Sequence, residues 1–477
     1  MRQIGSRLEL FVDDWLLERM QGVQLRLNSP ARREVALRFD EAPWEGTACH
    51  YPTVILDGSL YRLYYRGLPA EETDGGPSEV SCLAESADGI RWTRPKLGIF
   101  EAKGTRENNV VLDRTFSPIP HNFCPFLDTR PGVPPAERYK GLGGLFDIDG
   151  RRPHTGGLVA LASPDGTHWR KLDQAAVIGR GQYPFYTDTA QSPAFWSESE
   201  GCYVCYIRTW HGEGPPAADG AGGTMHGFEG RYRWIGRTTS ADFVHWSPVV
   251  ALDFGDAPPE HLYTSQVRPY FRAPHIYLGF PFRFYPERKA VPDYPWMGVS
   301  DGAFMSSRDG VHWDRRFREA FLRPGRDQEN WTQRSNALAV GVVPTGADEM
   351  SVYWIEDYEH PTARLRRGTL RLDGFASLNA SYSGGEALTH PLTFDGRELV
   401  LNYATSAAGS VRVEIQDAEG HALPGYTMDD CPEMYGDQIQ QPVSWNRGSD
   451  LGALAGQPVR LRLVLKDADV YSLKFRP

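Results

Sequence analysis

One seven-residue pattern, Ser-x-Asp-Gly-x-His/Arg-Trp, recurs four times in this chain. The copies are Ser86–Trp92, Ser163–Trp169, Ser240–Trp246 and Ser307–Trp313, and in the third Phe243 stands where the others have glycine. They lie roughly 70 residues apart, a spacing at which self-similarity indicates repeat architecture. Asp-Gly between two apolar runs is a strong hairpin signal, because both turn residues can take positive φ. The tryptophan then opens the next strand and can cover the turn with its ring. The pattern is read as structural, and its use is to count hairpins.

From about residue 45 the chain divides into five similar units. The innermost strand of each is expected at His50–Ile55, Asn122–Phe126, Gln191–Trp196, Gln266–Phe271 and Asn336–Gly341. Tyrosine-rich second strands are expected at Leu60–Tyr65, Arg138–Leu142, Tyr203–Ile207, Ile276–Phe280 and Met350–Ile355. A third strand, the turn and a fourth strand complete each unit, except that the fifth lacks the turn and ends in Ala363–Leu372 and Phe375–Leu378. Five four-stranded sheets at regular spacing describe a β-propeller. Prolines in several first strands are tolerable at strand starts or bulges. After Ser383-Gly-Gly-Glu386 the pattern gives way to alternating strands such as Val411–Ile415 and Val459–Val464. The expected fold is therefore all-β: a five-bladed β-propeller over 41–382, preceded by an N-terminal arm over 1–40 and followed by a jelly-roll-like β-sandwich over 386–477.

Composition agrees with short strands and many turns: 13 Trp, 22 Tyr, 22 Phe, 49 Gly and 36 Pro in 477 residues. A net charge of −10 points away from nucleic acid and anionic membrane as partners. Cys202 and Cys205 form a C-x-x-C inside a strand-like run, where alternation turns the two thiols to opposite faces. All six cysteines are read as thiols in a reducing compartment. The chain as given shows no signal peptide or membrane span, so a cytoplasmic setting is expected, a removed signal peptide aside.

Loops entering the first strands of a propeller converge at one end of its channel. Here they hold Trp44–His50, Pro120–Asn122, Tyr186–Gln191, Glu260–Thr264 and Glu329–Arg334. Glu45, Asp188 and Glu260 are the candidate catalytic carboxylates, with Glu329 as a fourth acid nearby. Glycosidic cleavage needs a protonated acid and an ionised carboxylate, and crowded acids push one another's pKa values apart. His50, His121, Asn122, Gln191, Arg208, His261, Tyr263, Trp331 and Arg334 are the candidate substrate-binding residues, with Arg66, Arg283 and Trp210 beside them. His50, His121 and His261 lack metal-site spacing, so no catalytic metal or other cofactor is expected, although the channel leaves room for a structural cation.

Five units with Ser-x-Asp-Gly-x-x-Trp turns, acids at the entry to the inner strands and a trailing sandwich resemble the five-bladed propeller glycosidases of glycoside hydrolase families 32 and 43. That resemblance implies an O-glycosyl hydrolase acting on an oligosaccharide or glycoside, in exo mode on furanosides or pentosides. The local motifs of those families, Asn-Asp-Pro-Asn, Arg-Asp-Pro and Glu-Cys, are absent at the corresponding blades, so the acids named here come from blade position. A glycoside phosphorylase, for which Arg66, Arg208, Arg283 and Arg334 would bind phosphate, and a non-catalytic sugar-binding propeller are the alternatives.

Overall fold

In the computed structural model, residues 1–69, 75–145, 156–179, 182, 190–212 and 232–476 are described. Among them the structure is all-β, with short 3₁₀ turns and no α-helix. The chain separates into two compact units. One comprises Pro30–Thr345 with Ser351–Thr369; the other comprises Met1–Ser29, Gly346–Met350 and Leu370–Pro477.

The first unit is a succession of small antiparallel sheets. The first sheet runs His50–Asp57, Leu60–Gly67, Val80–Ser86, Val110–Leu112. The second runs Cys124–Leu127, Tyr139–Gly143, Gly157–Ser163, Arg170–Lys171. The third runs Ala194–Ser197, Cys202–His211, Tyr232–Ser240, Val250–Ala251. A fourth set of strands falls into two three-stranded halves. These are Arg268–Tyr270, Ala273–Gly279 and Met305–Ser307, and His261–Leu262, Phe282–Tyr285 and Val299–Gly302. Pro281 interrupts the ladder, yet Ala303 N–H donates to the Pro281 carbonyl at 2.9 Å and Tyr263 N–H to the Phe282 carbonyl at 2.9 Å, so pairing continues across the break. The last sheet is Val343–Pro344, Glu349–Glu356, Arg364–Arg371 and, as its fourth strand, Ala31–Arg38.

That fourth strand differs from the sequence reading, which put residues 1–40 in an arm and ended the fifth unit at Phe375–Leu378. Arg32 and Glu34 instead meet Glu356 and Arg367 of the fifth sheet through ion pairs, fixing the N-terminal segment as its outer strand. Ala376–Ala380 pairs with Val23–Leu27 and with the C-terminal strand.

The first strands of the sheets carry Pro52, Pro125 and Pro269 without harm because each is an edge strand of its sheet. Their free edges face one another and are stitched by amides. Gln191 Nε2 donates to the Tyr51 carbonyl and to Thr53 Oγ1, both at 2.8 Å, and Gln266 Nε2 donates to Gln191 Oε1 at 2.9 Å. Thr53 also forms a parallel bridge with Val340. Asn122 Nδ2 donates to the Gly144 carbonyl at 2.8 Å and Asn336 Nδ2 to the Ser300 carbonyl at 3.0 Å.

The repeated turn closes on its own side chains. In every copy the serine Oγ accepts from the N–H of the fourth residue, at 2.8 to 2.9 Å. The aspartate Oδ1 accepts from the fifth and sixth N–H groups, again at 2.8 to 2.9 Å. Only the fourth residue takes positive φ: 71° at Gly89, 78° at Gly166, 71° at Phe243 and 77° at Gly310. The two-residue positive-φ hairpin expected from Asp-Gly is thus replaced by a carboxylate-capped turn. Partial burial alone pushes the carboxyls of Asp165, Asp242 and Asp309 up, but these amides and the histidines at position six outweigh it and hold them below the usual range.

Each turn also receives the sheet before it. Tyr64 of the first sheet donates through its hydroxyl to the Gly166 carbonyl at 2.9 Å, Tyr206 of the third to Gly310 at 2.9 Å, and Tyr353 of the fifth to Gly89. Tyr64 lies opposite Leu83 and Tyr206 opposite Arg237, each three residues before the turn serine of its own sheet. The equivalent residue of the second sheet is Leu142, opposite Ala160. Leucine has no hydroxyl to offer, and the turn that follows is the one with Phe243 for glycine. Its ring is fully buried and packs on Phe126 and Tyr203 at 5.4 and 5.2 Å. Elsewhere the glycine is obligatory, since a Cβ at Gly166 would stand 2.5 Å from the Tyr64 hydroxyl and one at Gly310 2.8 Å from that of Tyr206.

The second unit is one hydrogen-bonded network of ten strands built on two long ones, Glu398–Asp417 and Val459–Arg476. Burial alternates along Val459–Arg476, as for strands with one face on a core, and Leu461, Leu463, Leu465 and Phe475 point into it. Arg2–Gly5 joins the network in parallel with Leu392–Phe394, and Leu17–Gln21 pairs with Gly385–Thr389.

Gly310→Ala is expected to lower the urea-unfolding free energy by about 1–3 kcal/mol. Phe243→Gly, although it restores the repeat's commonest residue, should cost more, about 3–5 kcal/mol, because it empties a packed ring site. Equal or greater stability of Phe243→Gly would contradict the tyrosine-for-phenylalanine exchange described above.

Candidate active site

Strand register sets which side chains meet. In the third sheet Trp210 lies directly opposite Arg233, and Arg208 is two residues along from Trp210, so all three project from one face. In the first sheet His50 lies opposite Arg66. In the fourth, His261 lies opposite Phe284, and Tyr263 stacks on Phe282 with ring centroids 4.5 Å apart.

These groups form one cluster. The Arg208, Arg233 and Arg334 guanidinium carbons lie 4.6, 5.0 and 5.9 Å from the centroid of the Tyr263 ring. Arg66 lies 5.3 Å over Tyr51. The Tyr358 hydroxyl accepts from Arg334 Nη1 at 2.9 Å and from Arg66 Nη2 at 3.1 Å, which ties the first sheet to the fifth. His50 donates through Nε2 to the Arg334 carbonyl at 3.2 Å and meets Tyr51 and Tyr358 edge-on at 4.5 and 5.0 Å. Burial pushes the Tyr51 phenol up, against the opposing charges of Arg334, Arg66 and Arg208. Tyr51 and Arg334 have φ of 54° and 60°, left-handed backbone that non-glycine residues adopt at a cost.

The carboxylate of this cluster among the described residues is Glu79, which immediately precedes the strand Val80–Ser86. Both its oxygens lie 3.0 Å from His121 Nδ1, and Oε1 lies 3.5 Å from Arg66 Nη1. Glu79 and Arg66 are both 2% exposed. A carboxylate facing an imidazole Nδ1 in this way fixes the tautomer and the orientation of the ring. His261 is held neutral: burial and then the Arg233 charge push it down to about 4. Its Nδ1 accepts the Arg233 backbone N–H at 3.0 Å, so its proton sits on Nε2.

The expected acids fall in different places. Glu260 precedes His261 by one residue and therefore faces the other way along the strand. There it meets Arg315 at 2.5 Å, Arg318 at 2.7 Å, Arg283 at 3.4 Å and the Tyr285 hydroxyl at 3.2 Å. Burial raises its pKa, but Arg315, Arg283 and Arg318 outweigh that and hold it ionised. Glu45 is buried against Arg94, with Nε at 2.8 Å, and also accepts from the Tyr65 hydroxyl. Burial raises it and Arg94 opposes the rise. Asp188 lies outside the described residues.

Of the expected binding residues, His50, His121, Arg208, His261, Tyr263 and Arg334 come together. Asn122 spends its amide on backbone, and Gln191 spends its own on the Tyr51 carbonyl, Thr53 Oγ1 and the Gln266 amide, as described above. Trp331 donates through Nε1 to the Gly325 carbonyl at 2.9 Å, beside a separate acidic group of Asp327, Glu329 and Asp357. Arg364 bonds to Asp327 and Asp357 within that group. Sequence reading passed over Glu79, Tyr51, Arg233 and Tyr358. Arg233 was legible as the cross-strand partner of Trp210 once the hairpin register was known. Glu79 enters at the start of a third strand, where the convergence argument did not look.

The chain matches no family model and no curated protein by sequence. Among solved structures it is similar to a glycoside hydrolase at 12% identity, covering 72% of this chain and 92% of that one, with a TM-score of 0.49. It is similar to an N-acetylgalactosamine deacetylase from F. plautii, solved with blood group B trisaccharide, at 11% identity over 74% and 97% of the two chains, TM-score 0.49. It is also similar to a glycosyl hydrolase from Bacteroides ovatus at 13% identity over 77% and 96%, TM-score 0.39.

Two outcomes are expected here. Glu260→Gln leaves three guanidiniums facing a neutral amide and should destabilise the fold by about 3 kcal/mol in urea unfolding; a change below 1 kcal/mol would contradict the pairing. His261, with its folded pKa near 4 below an unfolded value of about 6.5, binds its proton more readily unfolded. Its contribution to stability is therefore present above pH 6.5 and falls as pH drops through that window toward 4. The slope of stability against pH over this range should be shallower in His261→Gln, and NMR should show no His261 titration above pH 5.5.

Proposed function

We propose that this protein cleaves O-glycosidic bonds, and that its five sheets are the blades of a five-bladed propeller with a β-sandwich as the second unit. The observation that carries the proposal is convergence. Residues scattered from His50 to Tyr358 and drawn from four sheets assemble a group of aromatic rings, guanidiniums, three imidazoles and a paired carboxylate. Aromatic faces suit the apolar faces of sugar rings, and forked donors suit their oxygens. Strand pairing by itself requires none of these groups.

In this reading Asp188 and the Glu79–His121 pair supply the acid and base chemistry. Glu260, held ionised by its three arginines, positions the segment that carries His261 and Tyr263. Carboxylate and imidazole chemistry of this kind needs no cofactor. The exo mode and the furanosides or pentosides implied by the family resemblance are the substrates to try first. A phosphorolytic variant is favoured by one observation, the gathering of Arg66, Arg208 and Arg334; Arg283 is instead engaged by Glu260 and Asp301.

The test is sugar release from a panel of aryl glycosides and plant or algal oligosaccharides, with and without phosphate. Wild type should turn over at least one member, and Asp188→Asn and Glu79→Gln should each lower kcat by about 10²- to 10⁴-fold. Sugar binding without turnover of any member would sink the enzymatic reading in favour of a sugar-binding protein.

A further inference from the structure

Buried tyrosines of the first unit give their hydroxyls to the chain. Tyr64, Tyr206 and Tyr353 donate to turn carbonyls, Tyr65 to Glu45 and Tyr203 to Asp128. That is the usual arrangement for a phenol in a protein interior, where a hydroxyl without a partner is costly. Tyr51 departs from it. The residue is 4% exposed, yet its hydroxyl has no hydrogen-bond partner among the described residues, and its oxygen is not sealed from solvent.

The backbone is bent to put it there. Register in the first sheet slips between His50 and Thr53, so Tyr51 sits in a bulge, a device that re-aims a side chain. Its φ of 54° is left-handed, which is unfavourable for a bulky residue and more so before a proline. In a regular strand adjacent residues face opposite ways. Here His50 and Tyr51 meet edge-on, with ring centroids 4.5 Å apart. The ring is then clamped. Arg66 lies over its face at 5.3 Å, His121 meets it edge-on at 5.9 Å, and Gln191 holds the Tyr51 carbonyl at 2.8 Å. Backbone strain that fixes a ring while leaving its hydroxyl unspent points to a ligand contact. Burial and the neighbouring Tyr263 push the phenol up, and Arg334, Arg66 and Arg208 do not reverse this. The group is therefore an O–H donor at ordinary pH, suited to the lone pair of an uncharged oxygen such as a sugar hydroxyl.

We infer that the Tyr51 hydroxyl donates a hydrogen bond to one hydroxyl of the bound sugar, which makes Tyr51 a specificity-determining residue that selects sugars carrying that hydroxyl. The inference rests on the glycoside-cleaving reading and supplies one of its substrate contacts. A donor matched to one acceptor rejects the analogue lacking it, because the phenol is then covered with nothing to bond.

The experiment compares the full-length wild type with Tyr51→Phe by NMR titration. The probes are p-nitrophenyl β-D-xylopyranoside, p-nitrophenyl α-L-arabinofuranoside and the singly deoxygenated forms of whichever binds better, with nitrophenol release followed alongside. Wild type should bind the parent glycoside about tenfold more tightly than one deoxy form. Tyr51→Phe should bind the parent about tenfold less tightly and no longer distinguish the two, so the losses do not add. Its urea midpoint should match that of wild type, because the hydroxyl bonds nothing in the fold. A Tyr51→Phe protein that fails to fold, or unfolds at lower urea, assigns the hydroxyl to the fold and overturns the inference. Parent binding unchanged in Tyr51→Phe overturns it as well. Hydroxyl-dependent binding without nitrophenol release leaves the role of Tyr51 standing and sinks the enzymatic reading; release that Tyr51→Phe leaves unaltered does the reverse. A wild type that binds no member of the aryl glycoside panel sinks both.

Discussion

A tyrosine hydroxyl bonded to a turn carbonyl of the next sheet is the contact on which the first unit depends. Sheets of three or four short strands are weak alone, and each has two faces to bury. The turn at the end of one sheet is closed by its own serine and aspartate, which leaves the carbonyl of the positive-φ residue pointing outward. Tyr64, Tyr206 and Tyr353 take that carbonyl and lay their rings across the turn, and Trp169 and Trp313 pack edge-on against Tyr64 and Tyr206. Where the tyrosine is lost, at Leu142, the following turn fills the gap with Phe243. The exchange conserves volume and burial while giving up one hydrogen bond, so the register between sheets survives.

With the sheets held in register, alternation along each strand decides which ionisable groups share a space. Glu260 and His261 are adjacent in sequence and face opposite ways. His261 joins Tyr263 and Arg233, whereas Glu260 joins Arg283, Arg315 and Arg318. The two environments have opposite electrostatic results: arginines hold a carboxylate ionised on one side, and burial beside an arginine keeps an imidazole neutral on the other. The same logic brings His50 and Arg66 together and places Trp210 against Arg233.

Much of the fold was legible because the repeat is periodic and its apolar runs are short. Second strands such as Leu60–Gly67 and Cys202–His211 lie where tyrosine-rich alternation put them. The outer strand of the fifth sheet was not legible. Ala31–Arg38 is separated by more than 300 residues from its partner Arg364–Arg371, and no local pattern signals so distant a pairing. For the site, entry loops of first strands located His50, His121, His261, Tyr263 and Arg334. Sequence proximity to those loops could not say which way a side chain turns, hence the separate surroundings of Glu260 and Glu45. Glu79 and Tyr358 escaped notice because they come from a third strand and from a loop after a second strand, and the fold alone carries them to Arg66.

The central claim is that a sugar occupies the space among Tyr51, Tyr263 and the surrounding arginines. A crystal structure of Asp188→Asn soaked with the oligosaccharide that wild type cleaves or binds tests it most directly. The account predicts a sugar ring against Tyr263, with its polar groups reaching Arg208, Arg233 or Arg334. A sugar bound only at the Asp327, Glu329 and Asp357 group, or only on the second unit, would contradict it.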